Sequence, residues 1–581
     1  MAAAVQTAFG HALPPEGPHT ITMHAPKWET ALRFREGDMS LIRQLKSIYP
    51  RFFPFGPSAM FLQQVGSKLN IAQGRGLVGF LSPAVWQTNR EHAISEFRKD
   101  KAVKAEEMSY HVIEIDGIRL YLVGFPLPKM TGAIFMWQHG GLGFSTRLGE
   151  YLLTKVDSLK YIGEFPSGAN PPDPTYLPET KSHELLRKRI AGLLGKGTVK
   201  EYPKPVQSGD VYLYQSGMAA ITKFHEAAVE ARPYPVAVFG AVFHSSWHLF
   251  EESPGGLKHY GKCNENDLNE FEKYLEQGGQ CSYIFTEFPS NPILVSVDLI
   301  RLRKLADKYG FWIAVDDTIG SFCNLDVLSV ADVVITSLTK SFSGYADLLA
   351  GSVVINPNQA SYDILKPIFI EAYHNELFSG DADQLFKNSD DYLPRSQILN
   401  RNAAAMAAYF QRLAEDPKVP VTKVCYPPYA DGSENLLPFL RKSSADFSEI
   451  GYGCLFSVEF ETEEQTIAFY DSLDFHQGPH LGAHLSLAMP YNAIIYGKDN
   501  PEYHASYGLN PNQIRFSAGL EDDSVLVERC KNAIAAMKEV GTRATEDGNL
   551  ASKTLEKAAA DLADGETDID PLGGKPVDDE H

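Results

Sequence analysis

Val333-Val334-Ile335-Thr336-Ser337-Leu338-Thr339-Lys340 decides how this chain is read. A β-branched apolar run of strand type leads into hydroxyl residues and one lysine. A lysine just past a buried strand is costly unless it has a task. One task is attack on a carbonyl to form a Schiff base, because burial lowers the amine pKa and makes the nitrogen nucleophilic. Hydroxyls beside it suit the holding of a phosphate. A lysine in a solvated loop is the plain alternative, and motifs this short recur by chance. The flanking sequence therefore has to choose.

Working outward, three more short apolar runs have strand character: Val236–Gly240, Tyr283–Glu287 and Phe311–Val315. Between the last two, Leu299, Leu302, Leu305, Ala306 and Tyr309 share one helical face, and Gly310 follows as a stop. Strand, helix, strand in this order predicts a parallel sheet with helices on both faces. A second α/β segment spans roughly 400–540, with Cys454–Phe460 as a strand and Asp523–Met537 as a helix. Residues 1–150 differ in texture. They have Pro-rich openings at Pro14-Pro15 and from Pro50 to Pro57. A hairpin pattern follows, Val112–Ile115 and Ile118–Leu122 around Asp116-Gly117. The expected division is an N-terminal extension (1–150), a large domain (151–375), a smaller C-terminal domain (376–545) and an acidic tail (546–581).

Ligands of open parallel sheets bind beyond the carboxyl ends of the strands. Phe243 follows the first run, Pro289-Ser290-Asn291-Pro292 the second, Asp316-Asp317 the third, and Thr339-Lys340 the fourth. Upstream, Ser216-Gly217-Met218 opens a helix whose inner face carries Ile221, Phe224 and Ala228. A capping serine and a first-turn glycine leave backbone N–H groups open to an anion, usually a phosphate. Each residue has a structural alternative: Asp316 as a helix cap, Asn291 as a turn residue, Ser216-Gly217 as an ordinary helix start. Together at strand ends they make one rim. The chemistry that wants a lysine, a carboxylate, an aromatic face and a phosphate cradle is that of pyridoxal 5'-phosphate (PLP). The lysine forms the imine, and the carboxylate keeps the pyridine nitrogen protonated so that the ring can accept electrons.

These residues resemble the Cys/Met-metabolism PLP enzymes, and among them the long fungal cystathionine γ-synthases. The resemblance runs over roughly residues 11–540. It is carried by Ala12-Leu13-Pro14-Pro15, Tyr49-Pro50-Arg51-Phe52-Phe53, Phe135-Met136-Trp137-Gln138-His139 and Ser216-Gly217-Met218-Ala219-Ala220. Further on it rests on Glu287-Phe288-Pro289-Ser290-Asn291-Pro292, Val315-Asp316-Asp317-Thr318, Ser337-Leu338-Thr339-Lys340 with Ser343-Gly344, and Ile514-Arg515-Phe516-Ser517-Ala518-Gly519-Leu520-Glu521. It implies the aspartate-aminotransferase type I fold, an α/β fold with a mainly parallel sheet, and homodimers or homotetramers. It implies Lys340 as Schiff-base lysine and proton shuttle, Asp316 at the pyridinium and Asn291 near the ring hydroxyl. Gly217, Met218, Ser337 and Thr339 would hold the phosphate, and Arg515 would clamp the substrate carboxylate, a task suited to a planar bidentate donor.

The departures fall on the substrate side. Ile48 precedes the tyrosine where the family has glycine. The ring-stacking tyrosine is Phe243, Ser-Leu-Gly reads His480-Leu481-Gly482, and Tyr345-Ala346-Asp347 follows Ser343-Gly344. The Tyr-x-Arg pair that reaches a neighbouring subunit's phosphate is not cleanly present, and Arg147 is the candidate for its arginine. The expected reaction is γ-replacement on an O-acyl-L-homoserine, giving cystathionine with cysteine, with γ-lyase activity on the side. The alternatives are a specialised-metabolism enzyme adding a carbon or nitrogen nucleophile, and a non-catalytic paralogue acting as an assembly partner.

The 581 residues carry 73 acidic and 53 basic side chains, a formal charge of −20, which disfavours nucleic acid and anionic membranes as partners. The tail holds eleven acidic and three basic residues and reads as disordered. Six separated cysteines without a Cys-x-x-Cys pair read as reduced thiols, and no metal site is expected. No signal peptide and no run of about 18 apolar residues is found, so a cytoplasmic enzyme with small amino-acid substrates is expected.

Overall fold

The computed structural model describes residues 4–166, 168–497 and 500–538, so the acidic tail read from 546 lies outside the described residues. The extension folds around an antiparallel sheet of four strands in the order β1-β3-β2-β4: β1 (Arg75–Phe80), β2 (Ser109–Ile115), β3 (Ile118–Pro126) and β4 (Lys160–Glu164), the last of which lies beyond the boundary expected at residue 150. The hairpin read from Asp116-Gly117 joins β2 to β3. Both turn residues have positive φ, 50° and 77°, as a type I′ turn demands.

The large domain holds seven strands: β5 (Val211–Tyr214), β6 (Val236–Phe239), β7 (Leu257–Tyr260), β8 (Tyr283–Glu287), β9 (Trp312–Asp316), β10 (Val333–Thr336) and β11 (Gly351–Ile355). Their order is β5-β11-β10-β9-β8-β6-β7. Strands β10 to β7 run parallel, and β11 is antiparallel to both neighbours. Alternation sends Val333 and Ile335 to one face and Val334 to the other, and each face has its own core.

One core buries the helix read at 299. This is α2 (Leu299–Tyr309), opened by Asp298 accepting from the Arg301 N–H at 2.9 Å and stopped by Gly310 at φ 76°. The other core is shared. Phe224 of α1 (Gly217–Ala231) and Phe285 of β8 pack in the same cluster as Phe61, Val78, Tyr121 and Trp137 of the extension. The extension is thus cemented to the sheet of the large domain rather than tethered to it.

The C-terminal domain packs the long helix α3 (Tyr392–Ala414) on five strands in the order β12-β13-β16-β15-β14. These are β12 (Val421–Cys425), β13 (Leu455–Phe460), β14 (His476–Gln477), β15 (Leu487–Met489) and β16 (Gln513–Ser517). No helix among the described residues is long and apolar enough to cross a membrane. All six cysteines are buried and unpaired.

Candidate active site

The rim read from the strand ends closes on a single cleft. Of the residues singled out in the sequence, Gly217, Met218, Phe243, Asn291, Asp316, Ser337, Lys340 and Arg515 line it. Thr339 does not. Its hydroxyl donates to Ala350 O at 3.1 Å and accepts from Ala350 N at 3.0 Å, which pins the lysine-bearing turn to the residue before β11.

The helix start is built for close approach. Ser216 Oγ accepts from Ala219 N at 2.9 Å and donates to Gly141 O at 2.8 Å. A Cβ added at Gly217 would lie 2.6 Å from that of Ser337, so only glycine lets the first turn of α1 meet the end of β10. The free N–H groups of that turn and the Ser337 hydroxyl form one donor set of the kind that holds a phosphate.

Asp316 ends β9, and its Oδ1 accepts from Thr318 N at 2.9 Å. Burial pushes its carboxyl up to about 6, with hydrogen bonds from Thr318 and the charge of Lys340 pulling the other way. Burial, with Asp316 beside it, raises Glu287 well above the usual carboxylate range, and its carboxyl accepts from Phe243 N. Lys340 reaches the cleft, and its amine pKa is lowered, first by desolvation. An ionised Asp316 in this setting wants a cation, and a protonated pyridine nitrogen is one. The lysine, the carboxylate and the donor set fit PLP.

Arg515, on β16, is 3% exposed, and among the described residues it forms no ion pair. It donates to Asn291 Oδ1 at 3.2 Å and to His480 O at 3.4 Å, and its guanidinium lies 4.1 Å from the centre of the Tyr491 ring. A buried guanidinium held by neutral partners is ready for a carboxylate.

Among the cleft residues missed as site residues in the sequence are Glu287, Thr318, Tyr491 and, most telling, Tyr49 and Arg51. The last two are a Tyr-x-Arg pair, quoted above within Tyr49-Pro50-Arg51 but not read as one. Arg51 donates to Gln138 O at 2.6 Å and lies over the Phe243 ring at 5.2 Å. Arg147 is elsewhere, paired with Asp381 at 3.2 Å and Asp347 at 3.4 Å. Tyr345 is bonded to Asp391 and does not line the cleft.

Residues 206–535 match the family described as Cys/Met metabolism PLP-dependent enzyme, more than half of the chain. This chain belongs to that family. It is a PLP-dependent enzyme of cystathionine γ-synthase-like type. It is 29% identical to the cystathionine γ-synthase-like enzyme iboG2 of Amanita muscaria, over 91% of this chain and 97% of that protein. It is 34% identical to the alanine racemase ungC of Aspergillus violaceofuscus over 72% and 73%, and 26% identical to the cystathionine γ-synthase of Neurospora crassa over 91% and 98%. The fold is shared with the cystathionine γ-synthase of Xanthomonas oryzae pv. oryzae in complex with cystathionine, with a TM-score of 0.51 and 23% identity over 65% of this chain and 91% of that one. The type I fold that the family resemblance implied is the fold of the molecule.

Proposed function

We propose that this enzyme catalyses γ-replacement on an O-acyl-L-homoserine, yielding cystathionine with cysteine or an analogous γ-substituted amino acid with another nucleophile. The observation that carries the reading is the convergence of Lys340, Asp316 and Arg515 on one cleft. Bound PLP supplies an electron sink for negative charge developing at Cα and Cβ. The protein supplies the rest. Arg515 holds the α-carboxylate, which points Cα at the lysine. Lys340, with its amine pKa lowered, takes the Cα proton and then the Cβ proton. Asp316 would hold the proton on the pyridine nitrogen, and Asn291 would stand by the ring hydroxyl. Gly217, Met218 and Ser337 would hold the phosphate and Phe243 would cover the ring, with Arg51 and Tyr49 at the same wall. Departure of the acyl group from Cγ opens that carbon to the incoming nucleophile.

A second reading, a carbon or nitrogen nucleophile in specialised metabolism, is favoured by Phe243 and His480, which stand where the family has hydroxyl side chains. Six buried, unpaired cysteines support a reducing compartment such as the cytosol, and the family resemblance supports a homodimer or homotetramer.

Incubation with O-acetyl- and O-succinyl-L-homoserine, with and without cysteine, followed by mass spectrometry, tests the reading. Acyl release with a γ-substituted product supports it. Release of neither acyl group overturns it, and racemisation of L-alanine supplied in parallel tubes, read by chiral chromatography, would place the chemistry at Cα alone.

A further inference from the structure

Tyr491 lines the cleft and is 2% exposed. The fold delivers its ring to Arg515. Strand register sets Met489 of β15 opposite Arg515 of β16, and the chain then turns at Pro490 into a short helix, Tyr491–Ile495. That turn brings the Tyr491 ring centre to 4.1 Å from the guanidinium carbon. Burial pushes the phenol up to about 12, so the cation faces a neutral ring rather than a phenolate. Attraction to the negative face of such a ring is strongest where water is excluded. The hydroxyl is tied as well. Asn291 Nδ2 donates to it at 3.4 Å, and Asn291 Oδ1 accepts from Arg515 at 3.2 Å. Both ends of one amide are committed, and Tyr491, Asn291 and Arg515 close a triangle. The Tyr491 ring has its own anchor. It meets Tyr496 edge to face at 6.0 Å, and the Tyr496 hydroxyl donates to Val242 O at 2.9 Å, one residue before Phe243. An arginine on its long stem has many poses, whereas a bidentate grip on a carboxylate needs one. The hydrogen-bond partners of Arg515, Asn291 Oδ1 and His480 O, are neutral, so the ring face is its strongest electrostatic guide.

We propose that Tyr491 is a positioning residue for the carboxylate grip: its ring face fixes the pose of Arg515, and through Arg515 it sets how well the enzyme tells an amino acid from the amine that lacks the carboxylate. This rests on the reading of Arg515 as the carboxylate clamp. It does not depend on which acyl group leaves or which nucleophile adds. An uncharged ring suits the task, because an acidic side chain in its place would pair with Arg515 and compete with the substrate for it.

The test uses the PLP-loaded full chain and the absorbance of its cofactor, titrated with L-homoserine and with 3-amino-1-propanol, which differs from it only in lacking the carboxylate. Tyr491→Leu is expected to weaken homoserine binding about tenfold to thirtyfold, the scale of a desolvated cation–π contact, and to leave the amine within about twofold. Tyr491→Phe, which keeps the ring face, is expected to hold homoserine within about threefold of wild type. In an Arg515→Ala background, Tyr491→Leu is expected to add nothing to either constant. Tyr491→Met replaces the leucine variant should that one fail to fold. The idea is overturned by unchanged homoserine binding in Tyr491→Leu, by equal loss of both ligands, by a phenylalanine variant as weak as the leucine one, or by a loss that persists in the Arg515→Ala background. Should Arg515→Ala bind homoserine as wild type does, the clamp reading falls and this inference with it. A large effect of Arg515→Ala with none of Tyr491→Leu removes this inference alone.

Discussion

The Lys340 amine lies 5.0 Å from the centre of the Tyr49 ring. The lysine ends the central strand region and the tyrosine comes from the extension, so the extension is part of the catalytic wall. Lys340 and Arg51 lower the Tyr49 phenol against the opposing pull of burial. The hydroxyl absent at Phe243 thus has a counterpart at Tyr49, facing the same lysine.

Tyr49→Phe keeps the ring and removes that hydroxyl. Turnover should fall about tenfold to a hundredfold, the lower part of the range for a group that assists proton transfer. The alkaline limb of the kcat profile should move with it. Steady-state kinetics against pH check this, and a profile identical to wild type would leave the phenol no part in proton movement.

Borohydride reduction of the yellow holoprotein should fix PLP on Lys340, as its place in the cleft and lowered pKa require. A peptide map reads the position. A label on any other lysine refutes the assignment.

Asp316→Asn preserves shape and the bond from Thr318 N but removes the charge. PLP should still bind, while turnover drops by about two orders of magnitude or more, the scale of losing a preorganised charged partner. Near-normal turnover would rule out its role at the pyridine nitrogen.

The same substitution should have the opposite effect on the PLP-free protein. Asp316 is raised to about 6 in the fold, so the folded state binds its proton more readily than the unfolded chain does. Stability should therefore fall as pH rises from about 4 through 6. At pH 7, Asp316→Asn should relieve a cost of up to about 3 kcal/mol. Urea midpoints of PLP-free wild type and variant at pH 4 and pH 7 measure this. The gain should vanish at the lower pH, and PLP should erase it by supplying the cation.

Phe243→Tyr puts back the family's hydroxyl. If the pocket has been retuned away from cysteine, kcat/KM for cysteine should rise in the variant. Efficient cystathionine formation by wild type, unchanged by the tyrosine, would mark an ordinary transsulfuration enzyme.

The strand-end residues were legible because each follows a short run buried on both faces. Such runs, as in Val333–Thr336 and Tyr283–Glu287, stand out as unbroken apolar blocks. Tyr49 and Arg51 were harder, because their role depends on contacts with Lys340, Gln138 and Phe243, all remote in sequence, and their proline-rich setting reads as loop. Strand β1, with two glycines in six residues and a half-exposed start, had no strand signature. The environment of Thr339 was equally hidden, since β11, next to its partner Ala350, begins with glycine and was not read as a strand.

The N-terminal thread touches two bodies on its way to the cleft. Ile21 N donates to Ala346 O at 2.9 Å, just beyond the lysine turn, and Ala25 N donates to Gln477 O at 2.7 Å in the C-terminal sheet. Farther along the same thread come Tyr49 and Arg51. It acts as a stitch: any tilt of one domain against the other pulls on a seam whose end is fastened inside the reaction chamber.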